Sequence, residues 1–408
     1  MDIFKRPYYR ICQKVAYVAA FFLPWRQPYL LKGVGKFTEL PDYIKNMGIN
    51  NVLVVTDQGL MQAGLLEPML AELVAKGIKY TLFDGVVPNP TIDNVETCVK
   101  LYHDNGCTGI IAVGGGSPMD CAKITGARIA RPKRPVTKMR GMLKVGRKLP
   151  PLFAVPTTSG TASETTLAAV ITDSVTHHKY PINDPALIPY AAVLDPSLTL
   201  KLPPYITATT GMDALCHAVE AYIGKANTAK TKQEALTAVK LIFANILKAY
   251  QQGEDIEART NMQEASYHAG LAFTRAYVGW VHAIAHTLGG FYQVPHGLAN
   301  AVIMPYVFRA YGKNAHPRLA ELADAVGLGG VTTAEKAERF IKAIEDLNAR
   351  MDLPAAFPEI REEDIEQMVS FADAEANPLY PTPKILLKKD IRKIYAQLKG
   401  GTSTQDHA

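Results

Sequence analysis

No two cysteines in this chain form a CxxC pair, and their number is odd: Cys12, Cys98, Cys107, Cys121 and Cys216. That argues against a disulfide framework and for reduced thiols in a cytoplasmic protein. Internal repeats and low-complexity segments are also missing. Charge of one sign is scarce: 44 basic against 38 acidic residues leave a net +6. Such a small excess gives no case for a nucleic-acid partner, although a weakly positive surface suits an anionic cofactor. There is also no apolar run able to span a bilayer. The run from Val15 to Leu23, preceded by Lys5, Arg6, Arg10 and Lys14, is too short. It has the look of a signal peptide, yet Pro24, Trp25 and Arg26 follow where a small-residue cleavage site would stand. Residues 1–28 are therefore read as an N-terminal extension packed on the body or on a neighbouring subunit. A basic, aromatic anchor lying on a membrane is the less favoured reading.

What is present is a chain of 408 residues, 48% hydrophobic and 20% charged, enough for two domains of a soluble enzyme. Four apolar runs read as strands: Asn51 to Val55, Thr81 to Phe83, Gly109 to Val113 and Leu152 to Val155. Between them lie helical patterns, Leu65 to Lys76 before Gly77, and Ile92, Val95, Val99 and Tyr102 before Gly106. Strand alternating with helix predicts a parallel, Rossmann-like sheet covered on both faces. Beyond a linker at Asp195 to Pro204 the apolar positions follow helical spacing, as in Val239, Ile242, Phe243, Ile246 and Tyr250, and no strand run appears. The expected architecture is an α/β dinucleotide-binding domain at 29–204 and an all-helical metal-binding domain at 205–408, with a frayed tail from Gly400.

Two constellations carry chemistry. Val113-Gly-Gly-Gly-Ser-Pro-Met-Asp-Cys-Ala-Lys123 follows a strand and opens a helix, so its N–H groups and helix dipole suit a pyrophosphate. A glycine-rich turn alone is weak evidence, since such turns often only punctuate. Asp57, just past the first of these strands, would accept ribose hydroxyls and repel an added phosphate, favouring NAD over NADP; it also suits a helix N-cap. In the helical half Asp213 and His217 stand at i and i+4, as do His282 and His286, and His296 follows. A lone histidine there would be core, but two such pairs and a fifth residue point to a metal site. One carboxylate and several imidazoles suit Fe2+ or Zn2+, and spacing alone does not separate His282 from His286. His103, His177, His178, His316 and His407 read as surface residues and His268 as core.

The residues then match a known pattern. Asp84-Gly-Val-Val-Pro-Asn-Pro-Thr91, the glycine loop, Pro156-Thr-Thr-Ser-Gly-Thr-Ala-Ser-Glu164, Gly211 to His217 and Gly279 to Asn300 occur in order. The chain resembles the iron-containing (group III) alcohol dehydrogenases, including lactaldehyde reductase and butanol dehydrogenase types, of the dehydroquinate synthase-like fold class. The resemblance implies Asp213, His217, His282 and His296 as metal ligands, with His286 beside the nicotinamide and substrate. It implies cofactor contacts from Asp57, Asn89, Gly115, Gly116, Ser117, Thr157, Thr158, Thr161 and Lys179, and Phe273 in the substrate pocket. Departures are Arg275 where relatives have asparagine, Ala162 for a common glycine, and the long extension. The expected activity is reversible, NAD-dependent hydride transfer between a primary, medium-chain apolar alcohol or its aldehyde and nicotinamide, aided by Fe2+, with Zn2+ as the alternative. Trp280, Phe291 and Tyr292 are expected to line an apolar pocket beside Phe273. A diol or hydroxy-acid dehydrogenase is the second reading and a dehydroquinate synthase-like lyase the third. A homodimer is expected.

Overall fold

The computed structural model describes residues 2–174 and 179–400. His177, His178, His407 and the tail beyond Gly400 lie outside them. Among the described residues there are nine strands: β1 (Tyr29–Lys32), β2 (Asn51–Val55), β3 (Lys79–Phe83), β4 (Gly109–Gly114), β5 (Gly141–Met142), β6 (Leu152–Pro156), β7 (Ala168–Thr172), β8 (Lys179–Asn183) and β9 (Ala191–Leu194). Helices among them are α1 (Asp2–Ala20), α2 (Lys36–Asn46), α3 (Gln58–Gln62), α4 (Glu67–Ala75), α5 (Ile92–Asp104) and α6 (Gly116–Ala130). Then follow α7 (Pro204–Ile223), α8 (Ala229–Gln251), α9 (Ile256–Ala276), α10 (Trp280–Tyr292), α11 (His296–Tyr311), α12 (His316–Ala325), α13 (Thr333–Arg350), α14 (Glu362–Ala376) and α15 (Lys388–Gly400). Among the described residues no strand follows Leu194, and no helix is long and apolar enough to cross a membrane.

Six strands form one all-parallel sheet in the order β1-β9-β6-β4-β2-β3. Its central strands are apolar on both faces because both are covered. Ile110 and Ala112 of β4 enter one core with Leu53 and Val55, while Ile111 and Val113 enter the other with Val52 and Val54. The chain runs outward from β2 to β3, then returns to β4 on the far side of β2 and continues to β6. The crossovers therefore diverge between β2 and β4, and ligands of open α/β sheets bind at such a switch point, beyond the carboxyl ends of the strands. Asp57 follows β2 and Gly115 follows β4. A small sheet, β5-β8-β7, completes this part.

The chain divides into two compact units. One is Pro24–Leu202 together with Glu254–Gly270; the other gathers the chain up to Leu23, Pro203–Gly253 and the chain from Leu271 on. The division thus falls at 202/203, the extension up to Leu23 belongs to the helical unit, and α9 is shared between the two. The stretch read as a linker is ordered structure. Asp195 accepts the N–H groups of Ser197 (3.1 Å) and Phe37 (3.0 Å), and Pro196–Thr199 forms a 3-10 turn.

Within the helical unit α7 is buried almost all round from Thr207 to Ile223. A helix with no wet face belongs at the centre of its layer, and α8 and α11 pack on it. The extension forms α1, docked by Arg10, which donates to the Thr382 (2.8 Å) and Pro383 (2.9 Å) carbonyls, and by Gln13, which donates to the Tyr380 carbonyl (2.8 Å).

Candidate metal centre and nucleotide loop

Three helices of the helical unit bring one set of donors together. Asp213 and His217 lie one turn apart on α7, His282 stands in the first turn of α10, and His296 opens α11. One side-chain ligand atom from each lies within 4.8 Å of the others. Asp213, His217 and His282 are buried; His296 closes the open side. Close backbone approach makes this geometry. A Cβ on Gly297 would stand 2.3 Å from the Thr209 carbonyl oxygen, so glycine after His296 lets α11 start against α7.

The ring orientations are held from behind. His282 Nδ1 lies 2.7 Å from Glu220 Oε2, and both groups are buried. Glu220 also accepts the N–H groups of Gly279 (2.7 Å) and Val281 (2.9 Å). Here again glycine is required, because a Cβ on Gly279 would meet Glu220 Oε1 at 2.5 Å. Burial pushes Glu220 up to about 7, against the pull of those backbone donors. With the Nδ1 proton on the Glu220 side, His282 Nε2 keeps its lone pair for the centre. Burial first, then the neighbouring His217, His296 and His286, hold His282 well below the usual imidazole range, which keeps it neutral.

The middle of the group is marked by Asn300. Its Nδ2 donates to Asp213 Oδ1 (2.7 Å) and lies 3.3 Å from His282 Nε2 and 3.2 Å from His296 Nε2. Three donor atoms from three helices therefore converge on one point, and the set of one carboxylate and three imidazoles fits a divalent transition metal.

His286 is not in this group. It is exposed, its Nδ1 lies 2.8 Å from Glu375 Oε1, and its ring stacks on His296 at 5.1 Å. Tyr380 also donates to Glu375 (2.9 Å). Phe273 stacks on His217 at 4.1 Å and 12°. The other three aromatic residues expected around substrate take structural partners, a correction to that expectation. Trp280 is fully buried, Phe291 packs on Phe371, and the Tyr292 hydroxyl donates to Asp364 (2.6 Å). Aromatic residues at helical spacing first serve the core. The Arg275 guanidinium stands over the Phe21 ring, 5.1 Å from its centroid.

In the α/β unit, α6 begins at Gly116 with Gly115 as N-cap and no side-chain cap, which leaves the first N–H groups for a ligand. Around this loop Asn89 donates its N–H to Ser117 Oγ (3.3 Å) and accepts from Lys179 Nζ (2.6 Å). The Thr157 N–H donates to the Gly114 carbonyl (3.0 Å), and the Thr161 hydroxyl accepts the Ser163 N–H (3.4 Å). Thr158 and Thr161 border Gly115 and Gly116. Asp57 caps α3, accepting the Leu60 N–H at 3.1 Å. An uncapped helix start at the sheet's switch point fits a pyrophosphate, and the acidic residue past β2 fits a ribose. His103 is exposed, while His316 and His268 are half-buried. Glu220 escaped the sequence reading, though it sits seven residues after Asp213, on the face that Asp213 and His217 share.

The chain matches two family models, iron-containing alcohol dehydrogenase over residues 28–196 and the C-terminal part of the Fe-containing alcohol dehydrogenase family over residues 207–398. It is 37% identical to alcohol dehydrogenase 4 of Schizosaccharomyces pombe, over 90% of this chain and 86% of that one. It is also 37% identical to the NAD-dependent methanol dehydrogenase of Bacillus methanolicus, over 92% of this chain and 98% of the other. Among solved structures, that of a 1,3-propanediol oxidoreductase superimposes with a TM-score of 0.89 at 35% identity, covering 92% of this chain and all of that one.

Proposed function

This chain belongs to the iron-containing alcohol dehydrogenase family, and from that premise we propose that it passes a hydride reversibly between a primary, medium-chain apolar alcohol and NAD, as a cytoplasmic homodimer. The observation that carries the reading is the convergence of Asp213, His217, His282 and His296 on one point. These four residues hold Fe2+, with Zn2+ the alternative. When bound, the metal supplies a Lewis acid to the alcohol oxygen and NAD supplies the hydride acceptor. Glu220 fixes the His282 ring. His286, held by Glu375 on one side and open to solvent on the other, moves the alcohol proton. The start of α6 and the side chains of Asn89, Ser117, Thr157, Thr158, Thr161 and Lys179 bind the nucleotide, while Asp57 takes the ribose and disfavours NADPH.

Phe273, stacked on His217, supplies the apolar wall nearest the metal. Arg275 supports an apolar substrate because its guanidinium is engaged with Phe21. Each further buried methylene should contribute about 0.8 kcal/mol, roughly fourfold in kcat/KM per carbon. The test is a panel followed by NADH absorbance, with rates rising from ethanol through butanol to hexanol. The likeness to a 1,3-propanediol oxidoreductase favours the second reading, a diol or hydroxy-acid dehydrogenase. Diols or hydroxy acids beating hexanol by about tenfold, a gap expected of charge-assisted hydrogen bonds, would establish that reading instead.

A further inference from the structure

Helix α1 is turned the wrong way round for an ordinary surface helix. Its polar residues Arg10 and Gln13 face the body and bond to the 380–383 segment. One stripe of its apolar residues faces out. Tyr8, Ile11, Val15 and Val18 are each at least 56% exposed, and Phe22, in the turn that follows, is 85% exposed. They recur at steps of three and four residues, so they form one stripe along the helix. Lys5 and Lys14 are exposed beside it. The helix lies before residue 28, where the family match begins, so the dehydrogenase machinery does not account for it.

Charge decides what covers this face. From Ile3 to Thr38 the sequence has no acidic residue, but it has Lys5, Arg6, Arg10, Lys14, Arg26, Lys32 and Lys36. A second copy meeting the stripe about a two-fold axis would set the Lys14 side chains, which stand among Ile11, Val15 and Val18, against each other. An anionic lipid surface answers Lys14, whereas Arg6 is paired with Asp390, Lys32 with Glu264 and Lys36 with Glu39, and Arg10 and Arg26 bond to backbone carbonyls. Tyr8, Tyr17, Phe21, Phe22 and Trp25 are the side chains that favour the boundary between headgroup and acyl chain. Among the described residues no helix is able to cross the bilayer, so the chain would lie on it.

We propose that α1 is a lipid-surface anchor: Tyr8, Ile11, Val15, Val18 and Phe22 enter the interfacial layer of an anionic bilayer, with Lys5 and Lys14 on its headgroups. The test is co-sedimentation of the full-length enzyme with phosphatidylcholine vesicles, with and without about one-third phosphatidylglycerol. Expected are pelleting with the anionic vesicles, little with the neutral ones, and loss of pelleting as salt rises. Ile11→Asp with Val15→Asp should cut pelleting by about fivefold or more, and Lys14→Glu by about twofold or more, at unchanged melting temperature and butanol oxidation. Equal pelleting with both vesicle types, or pelleting unaffected by Lys14→Glu, overturns the proposal. So does a parent enzyme that ignores vesicles but whose mass by light scattering drops in the Ile11→Asp, Val15→Asp variant, which assigns the face to a second copy.

Discussion

At the candidate metal centre side chains supply the donors; at the start of α6 the backbone does. Asp213, His217, His282 and His296 converge from α7, α10 and α11, with Glu220 behind His282 and Asn300 against Asp213. The nucleotide loop offers uncapped N–H groups at a helix start, while its side chains mostly bind one another, as Asn89 binds Ser117 and Lys179. A site made of side chains fails when one is removed. A site made of backbone tolerates substitution and is tuned by it.

The largest effect should come from the first kind of site. His282→Ala should lower metal content and turnover together, by more than the roughly 100-fold expected for losing an outer partner. Metal analysis with a butanol assay reads both, and a fully loaded variant would break the contrast. His286→Ala should keep its metal while turnover falls about 100-fold or its pH profile moves. One step out, Glu220→Gln keeps the shape but weakens the hold on His282. Metal affinity, measured by chelator competition, should fall by about 10- to 100-fold.

On the nucleotide side the changes should be of preference. Asp57→Gly removes the charge facing a 2′-phosphate and should raise the NADPH to NADH ratio of kcat/KM by about tenfold. Asp57→Asn keeps a capping side chain and should do nearly the same, which separates charge from cap. An unchanged ratio in both would leave Asp57 as a cap only.

The smallest effect concerns the scaffold behind the loop. Glu164 is buried and pushed up to about 7, so the folded chain holds a proton that the unfolded chain gives up near 4.5. Its contribution to stability is full below 4.5 and is lost as pH rises through 7, at no more than about 1.4 kcal/mol per pH unit. Lys123, buried and pushed down to about 8, acts with the opposite sign at higher pH: stability returns between 8 and 10.5. Glu164→Gln should therefore gain a few degrees of melting temperature over the parent between pH 5 and pH 7.5. A difference that stays flat across that range would mean Glu164 ionises freely.

The same contrast explains what was legible. The i, i+4 pairs pointed to residues that the structure brings together, because helix geometry alone puts them on shared faces. It did not separate His282 from His286, since the partners that tell them apart, Glu220 and Glu375, come from other helices. Glu220 was within reach of the same logic, at i+7 from Asp213. In the sheet, β2, β3, β4 and β6 announce themselves as apolar runs. β1, β5 and β8 escape because they are short, exposed or, as in Lys179-Tyr-Pro-Ile-Asn183, broken by proline. β9 escapes through brevity, although it is fully buried. The shared α9 was invisible for a different reason: helical spacing says nothing about which unit a helix serves.

Arg10 bonds to a carbonyl 372 positions away, so α1 docks on a segment made long after it. At ribosomal rates of about 5–20 residues per second, that interval is roughly 20–75 s. Throughout it the outer stripe of α1 and the face later covered by residues 380–383 are both open to the surroundings. The nascent chain thus presents an amphipathic helix well before it is an enzyme.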